Sequence, residues 1–284
     1  MATIEFSEEQ SMLLETAADF CRTHSPVDAV RKQIDHEHST TPELWQAMAD
    51  LGWLGVTIPE QYGGLGMNLA DAVPIVESMG RHLMGSPFVA TTLAAQALIT
   101  SGSEQQKAHW LAEIAAGAPA SVALTEEDGN WRLQEISATA VATGDALILS
   151  GTKCFVLDAR QAQVVVASVM LEGAARLIAI HADQIPSGAL AREVVIDETR
   201  RSYTLQLDGI SVPQSQLLAG ADFAALEQAA MLLLVAEMSG GLAGVLHVII
   251  DYLTTRKQFD QYIGSYQSLK HPSVQILLSL EACR

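Results

Sequence analysis

The hydrophobic period of this chain changes twice along its length, and those two changes bound what it can fold into. From the start to about Gly117 the apolar residues recur at helical spacing, with start signals where helices need them. Thr41-Pro42 puts a capping hydroxyl before a proline at the first helical position, and Leu44, Met48 and Leu51 follow on one face. Ser103 to Gln106 has capping-box spacing and introduces Trp110, Leu111 and Ile114. Between Ala120 and Pro213 the chain turns to short runs rich in Val, Ile and Thr, separated by turn residues such as Thr143-Gly144-Asp145 and Asp208-Gly209. Residues 146–149, 164–169, 177–180 and 203–207 read as strands. Beyond Gly220, Asp222 is placed to cap a long helix reaching about Leu253, interrupted at Gly240, Gly241 and Gly244, and a second helix runs to the last residue. Glycine costs helix stability, so the cluster predicts close helix contact and not a phosphate cradle.

This order predicts an α+β multidomain protein. An N-terminal all-α domain is expected over 1–119, a middle antiparallel β-sandwich or barrel over 120–220, and the beginning of a C-terminal helical bundle over 221–284. A composition with 49% hydrophobic and 17% charged residues supports folded cores throughout.

Sixteen basic against 33 acidic residues leave a formal charge of -17, which repels nucleic-acid backbones and anionic lipid. An anionic ligand therefore needs a local cationic device. The apolar run 229–236, bracketed by Glu227 and Glu237, falls short of the roughly 20 residues of a membrane helix and predicts no membrane association. The N-terminus lacks the pattern of a signal or transit peptide. Cys21, Cys154 and Cys283 form neither a CxxC motif nor an even disulfide framework, so a reducing cytoplasm is the expected location.

Local motifs carry a sharper message. Leu44-Trp45 through Leu51-Gly52-Trp53-Leu54-Gly55, then 58–66 (Ile-Pro-Glu-Gln-Tyr-Gly-Gly-Leu-Gly), are followed in order by Gly102-Ser103-Glu104 with Gln106-Lys107, Ala123-Leu124-Thr125-Glu126, and Gly151-Thr152-Lys153-Cys154-Phe155-Val156. Arg256-Lys257-Gln258-Phe259 and Ile263-Gly264-Ser265-Tyr266-Gln267 complete the series. In this set the chain resembles the FAD-dependent acyl-CoA dehydrogenase family over nearly its whole length, as a C-terminally truncated member or a degenerate subunit of a heteromeric one.

The resemblance implies noncovalent FAD, an acyl-CoA substrate and a soluble electron acceptor such as an electron-transfer flavoprotein, in a homo- or hetero-oligomer of such subunits. It assigns the flavin ring to Leu124, Thr125, Phe155, Val156 and Leu157. Thr125 offers a hydroxyl to the polar pyrimidine edge, and Phe155 an aromatic face. Leu157 stands where relatives carry a threonine and cannot donate its hydrogen bond. Glu126 reads equally as a solvated acid. Arg256, Gln258 and Phe259 are assigned to the dinucleotide of a neighbouring subunit, with Gln267 as a further contact, and the arginine fork suits pyrophosphate oxygens.

Dehydrogenation α,β to a thioester needs a carboxylate to take the α proton. The resemblance places that glutamate beyond the last residue, or at the position of Ala230, which cannot take a proton. No catalytic residue is assigned. Glu227 lies one turn before Ala230 and reads as a first-turn helix acid, and Glu237 reads as a packing residue. Gln228 and Met231 replace the family's CoA-binding aspartate and arginine, and Asn130-Trp131-Arg132 replaces its glycine-serine-aspartate. Ending the helical domain early is expected to leave Leu232, Leu233, Val245 and Ile249 without partners. His36-Glu37-His38 reads as a solvated loop in preference to a metal set, and no GxGxxG or GxSxG motif is present. The expected function is an acyl-CoA dehydrogenase subunit, with a noncatalytic scaffold of a heteromeric enzyme as the alternative.

Overall fold

The computed structural model describes residues 8–283. The first third is helical: α1 (Glu8–His24), α2 (Val27–Ile34), α3 (Pro42–Asp50), α4 (Val73–Arg81), α5 (Phe88–Ser101) and α6 (Glu104–Ala115). Thr41 caps α3 as its hydroxyl accepts from the Leu44 amide, with Pro42 inside the first turn. Ser103 and Gln106 close the capping box of α6 from both sides.

Nine strands follow: β1 (Ala120–Ala123), β2 (Thr139–Thr143), β3 (Ala146–Ser150), β4 (Thr152–Leu157), β5 (Val164–Leu171), β6 (Ala174–His181), β7 (Leu190–Arg192), β8 (Ser202–Gln206) and β9 (Ser211–Pro213). One sheet has the order β1-β5-β2-β3-β9, with β6 also on β5, and the other has the order β4-β8-β7. Both contribute to a single core, with Leu147, Val165 and Ile178 from the first meeting Val156, Tyr203 and Leu205 from the second. The expected sandwich of short strands is there, mainly antiparallel. Two pairings differ: β1 runs parallel to β5 with Ala120 opposite Val164, and β2 meets β5 in parallel at Thr139 and Met170. β1 enters the sheet directly from the helical segment, so no hairpin constrains its direction.

The remainder consists of α7 (Phe223–Thr255), a two-stranded hairpin of β10 (Lys257–Gln258) and β11 (Gln261–Tyr262), and α8 (Gln267–Cys283). Asp222 caps α7 by accepting from the Ala225 amide at 3.0 Å. Among the described residues the chain forms two compact units. One takes in the described residues up to Val30, Val73–Met84 and those from Met231 on, the other Arg31–Ala72 and Gly85–Ala230.

Within the first of these, α7 runs unbroken through Gly240, Gly241 and Gly244, which correct the expected interruption. A Cβ on Gly240 would strike the Glu77 carbonyl of α4, one on Gly244 would lie 2.6 Å from the Arg81 carbonyl, and one on Gly80 would strike the Glu237 carbonyl. Two helix backbones therefore meet along a glycine seam. Close backbone contact offsets the roughly 1 kcal/mol per residue that glycine costs a helix.

By length and composition α7 is capable of crossing a membrane, a correction to the short apolar run expected at 229–236. The run resumes beyond Glu237 because the seam and the α8 contact both demand small or apolar side chains. Ala243 and Leu246 bury against Leu280 of α8. Of the four residues expected to lack partners, Leu233 is fully buried, whereas Leu232 and Val245 are exposed.

Candidate functional site

The segment after β1 and the middle of β4 form the first group of expected site residues. Cys154 N donates to Thr125 O at 3.0 Å, and Thr125 Oγ1 donates back to Cys154 O at 2.5 Å. This isolated antiparallel bridge fixes Leu124-Thr125 beside β4. At the same point the register of β4 against β8 shifts between Lys153 and Val156, and Phe155 takes φ 56°. A bulge re-aims side chains. Phe155 turns outward with 51% of its surface exposed, and Val156 turns into the core at 0%.

A bulge also frees an amide from the ladder, and a buried or half-buried amide needs an acceptor. Phe155 N finds Glu193, donating to its two carboxylate oxygens at 3.1 and 3.2 Å. The same carboxylate accepts from Ser202 Oγ at 2.5 Å and from Thr204 Oγ1 at 2.8 Å. Glu193 therefore props the strained aromatic in place.

Behind this segment sits a buried ion pair. Lys153 Nζ lies 2.7 Å from Glu126 Oε1 and 2.9 Å from Ser168 Oγ, and the lysine side chain is fully buried. Glu126 also accepts from Ala138 N at 2.9 Å, Ser137 N at 2.8 Å and the Ser137 hydroxyl. The solvated role allowed for Glu126 is thereby corrected. Burial pushes its pKa up, but the hydrogen bonds from Lys153, Ser137 and Ala138 prevail and hold it at about 2. Burial lowers the Lys153 pKa, against the opposing pull of Glu126.

The remaining members of this group offer less than expected. Thr125 has spent its proton on Cys154, so its oxygen is left to accept. Val156 can present only main-chain atoms. Leu124 and Leu157 are half-buried, and Leu157 O accepts from Ser121 Oγ at 2.5 Å. Glu193, Ser121 and Ser168 carry no local signal in the sequence. Their roles arise from partners 38, 36 and 15 positions away.

The second group occupies the hairpin after α7. The Arg256 guanidinium donates to the Tyr252 hydroxyl and lies over that ring at 5.5 Å from its centroid. Phe259 and Asp260 form the turn with φ of 52° and 61°, the two positive values that a primed hairpin turn requires. Phe259 is 87% exposed there, a strained conformation for an aromatic residue. Gln258 is exposed while its carbonyl accepts from the Tyr266 hydroxyl at 3.1 Å, and Gln267 opens α8 on the surface.

On α7, Ala230 is half-buried, and Glu227, Gln228 and Met231 are exposed. The Glu37 carboxylate lies 3.4 Å from Arg160, and the His36 carbonyl accepts from Arg201 Nε at 2.9 Å. Among the described residues, no three His, Cys, Asp or Glu side chains converge as metal ligands.

Helices, a curled β domain and further helices, in that order, match the fold of solved acyl-CoA dehydrogenases. Residues 7–118 match the acyl-CoA dehydrogenase N-terminal domain. The acyl-CoA dehydrogenase FadE12 of Mycobacterium tuberculosis is 29% identical, over 98% of this chain and 75% of the relative. The solved structure described as the Tcur3481-Tcur3483 steroid ACAD G363A variant is 28% identical with a TM-score of 0.85, covering 97% of this chain and 74% of that one. The ChsE4-ChsE5 complex of M. tuberculosis shares the fold at 23% identity and a TM-score of 0.86, covering 98% and 76%. Residues 7–118 thus carry the acyl-CoA dehydrogenase N-terminal domain, and the chain over nearly its whole length is similar to acyl-CoA dehydrogenases.

Proposed function

We propose that this chain is a flavoprotein subunit of an enzyme that oxidises an acyl-CoA to its 2,3-enoyl-CoA, with electrons passing to a soluble carrier of the electron-transfer flavoprotein type. The observation that carries the reading is the juxtaposition of Thr125 with the bulge that turns Phe155 outward. An exposed aromatic face, the half-buried aliphatic Leu124 and Leu157, and a threonine oxygen free to accept suit a flat heteroaromatic ring with one polar N–H edge. These residues fit FAD, which when bound supplies a two-electron acceptor for hydride. Leu157 offers no hydroxyl, so tuning of the ring at that point falls to the main chain. Arg256, with Gln258, Phe259 and Gln267, would hold the dinucleotide end.

In this reading the α proton goes to a carboxylate contributed from outside these residues, because Ala230 cannot accept one. A second reading, a noncatalytic FAD-holding or scaffold subunit, is favoured by Ala230 together with Leu157 and Gln228. A heteromeric assembly suits both readings. It is supported by the paired names of two structural relatives, ChsE4-ChsE5 and Tcur3481-Tcur3483.

Purified chain loaded with FAD and mixed with a panel of acyl-CoAs and an artificial electron acceptor is expected to show a flavin spectrum and no turnover alone. Addition of a complementary dehydrogenase subunit should bring flavin bleaching and enoyl product. Turnover by the chain alone would overturn the external-base assignment and direct mutagenesis to Glu227 and Glu237. Absence of FAD uptake would overturn the cofactor reading.

A further inference from the structure

The buried Glu126–Lys153 pair lies one residue after Thr125 and two residues before Phe155, on the inward side of both segments. Its hydrogen bonds spread into the surrounding strands. Glu126 gathers the amides of Ser137 and Ala138 at the entrance to β2, and Lys153 reaches Ser168 on β5. Ser168 Oγ in turn donates to Leu124 O at 3.4 Å. One cation thus governs the position of the residue before Thr125 through Ser168, and of Thr125 itself through Glu126.

A fully buried lysine is expensive unless paired, and a hydrophobic pair of similar volume would hold a β core at least as well. An ion pair differs from such a pair in direction: each hydrogen bond fixes an angle as well as a distance. The pair sits within the two segments that carry Leu124-Thr125 and Cys154-Phe155, while the packing of the core depends on Leu147, Leu205 and Ile178.

We propose that Glu126 and Lys153 are positioning residues for the flavin seat, holding Leu124-Thr125 and the Cys154-Phe155 bulge in the arrangement that receives the ring. The inference rests on the flavin reading of the preceding subsection and adds to it the residues that shape the site.

The test compares three forms of the full chain: the parent, the double variant Glu126→Gln/Lys153→Met, and a control, Leu147→Ala, which cavitates the same core from β3. Three quantities are read: melting temperature, amide hydrogen exchange of peptides spanning 151–157, and the affinity and visible spectrum of added FAD. In the double variant the 151–157 amides are expected to exchange at least about tenfold faster, FAD to bind at least about tenfold more weakly, and the resolved shoulder of the bound-flavin band to blur. The control, matched or lower in melting temperature, should keep the parent spectrum and affinity. Unchanged FAD affinity and spectrum in the double variant would overturn the proposal, as would equal losses in the control, which would make the effect one of stability alone. Should the double variant fail to fold, Lys153→Arg, which keeps the charge but displaces the hydrogen bonds, takes its place: weakened FAD binding with a blurred band supports the proposal, and parent-like affinity and spectrum overturn it. A parent that takes up no FAD would overturn the flavin reading at the first step, a result separate from binding that is indifferent to the pair.

Discussion

The Asp158 carboxylate is buried in a left-handed turn at φ 53° and accepts a 2.5 Å hydrogen bond from Ser39 Oγ, 119 positions earlier. Burial raises its pKa from 3.8 to about 6, against the lowering influence of Ser39, Arg200, Arg201 and His38. A raised pKa means that the folded state holds the proton more tightly than the unfolded state. Its stabilising contribution is therefore complete below about pH 4 and is lost as pH rises through about 6, by about 3 kcal/mol.

Asp158→Asn should remove that loss, since asparagine tolerates the left-handed conformation and its amide can donate to Ser39. The variant is expected to melt above the parent at pH 7.5, with the difference vanishing near pH 4. Thermal melts of both proteins across that range check it, and a constant difference would refute it.

Glu126 works in the opposite sense. Its pKa, held at about 2 in the folded state against an ordinary 4.5, gives stability that is present above about pH 4.5 and lost as pH falls towards 2. Acid melts of the parent should steepen in that window, and Glu126→Gln should flatten that limb while lowering stability at neutral pH by leaving Lys153 without its charge partner.

The glycine seam makes a prediction that helix propensity alone would reverse. Gly240→Ala should destabilise by about 1–3 kcal/mol, because the methyl group meets the Glu77 carbonyl backbone. Gly241→Ala, whose methyl would lie 3.8 Å from the Gly80 carbonyl, should be neutral or stabilise by up to about 1 kcal/mol. Denaturant melts of the two variants check the contrast.

Replacing Arg256 with alanine should weaken FAD binding by more than about tenfold in the assembled protein, through loss of a forked, charge-assisted contact to pyrophosphate. Lysine should restore only part of the affinity. A fluorescence titration of FAD at fixed salt decides it, and equal affinity in the alanine variant would leave Arg256 as the partner of Tyr252 alone.

Met231, Met238, Val245 and Val248 expose between 56% and 72% of their surface on one helix, which predicts self-association. Light scattering should detect dimers or larger species at micromolar concentration. A stable monomer would show that this apolar surface is tolerated in water.

The element order was legible in the sequence because it depends on local chemistry. Thr41-Pro42, Ser103 to Gln106 and Asp222 are capping signals that act within four residues, and all three begin helices as expected. The strands at 146–150, 164–171, 174–181 and 202–206 follow from β-branched runs between turns. The family motifs likewise singled out Leu124, Thr125, Phe155 and Arg256 before any geometry was known.

What those residues do was decided by the tertiary structure, because it depends on partners distant in sequence. A reading of neighbours leaves a solvated acid as one equal alternative for Glu126; the fold buries it against Lys153, 27 positions on, and removes that alternative. Glu193 has no local pattern at all and becomes the acceptor for the Phe155 amide only because β7 and β4 flank the same strand, β8. Gly240 and Gly244 predict close helix contact from sequence, but that the contact is with the α4 backbone at Glu77 and Arg81, and leaves α7 unbroken, is settled only in three dimensions. Local propensities act over a few residues and were determined by sequence alone, whereas the burial of charges and the close approach of backbones exist only once distant segments meet.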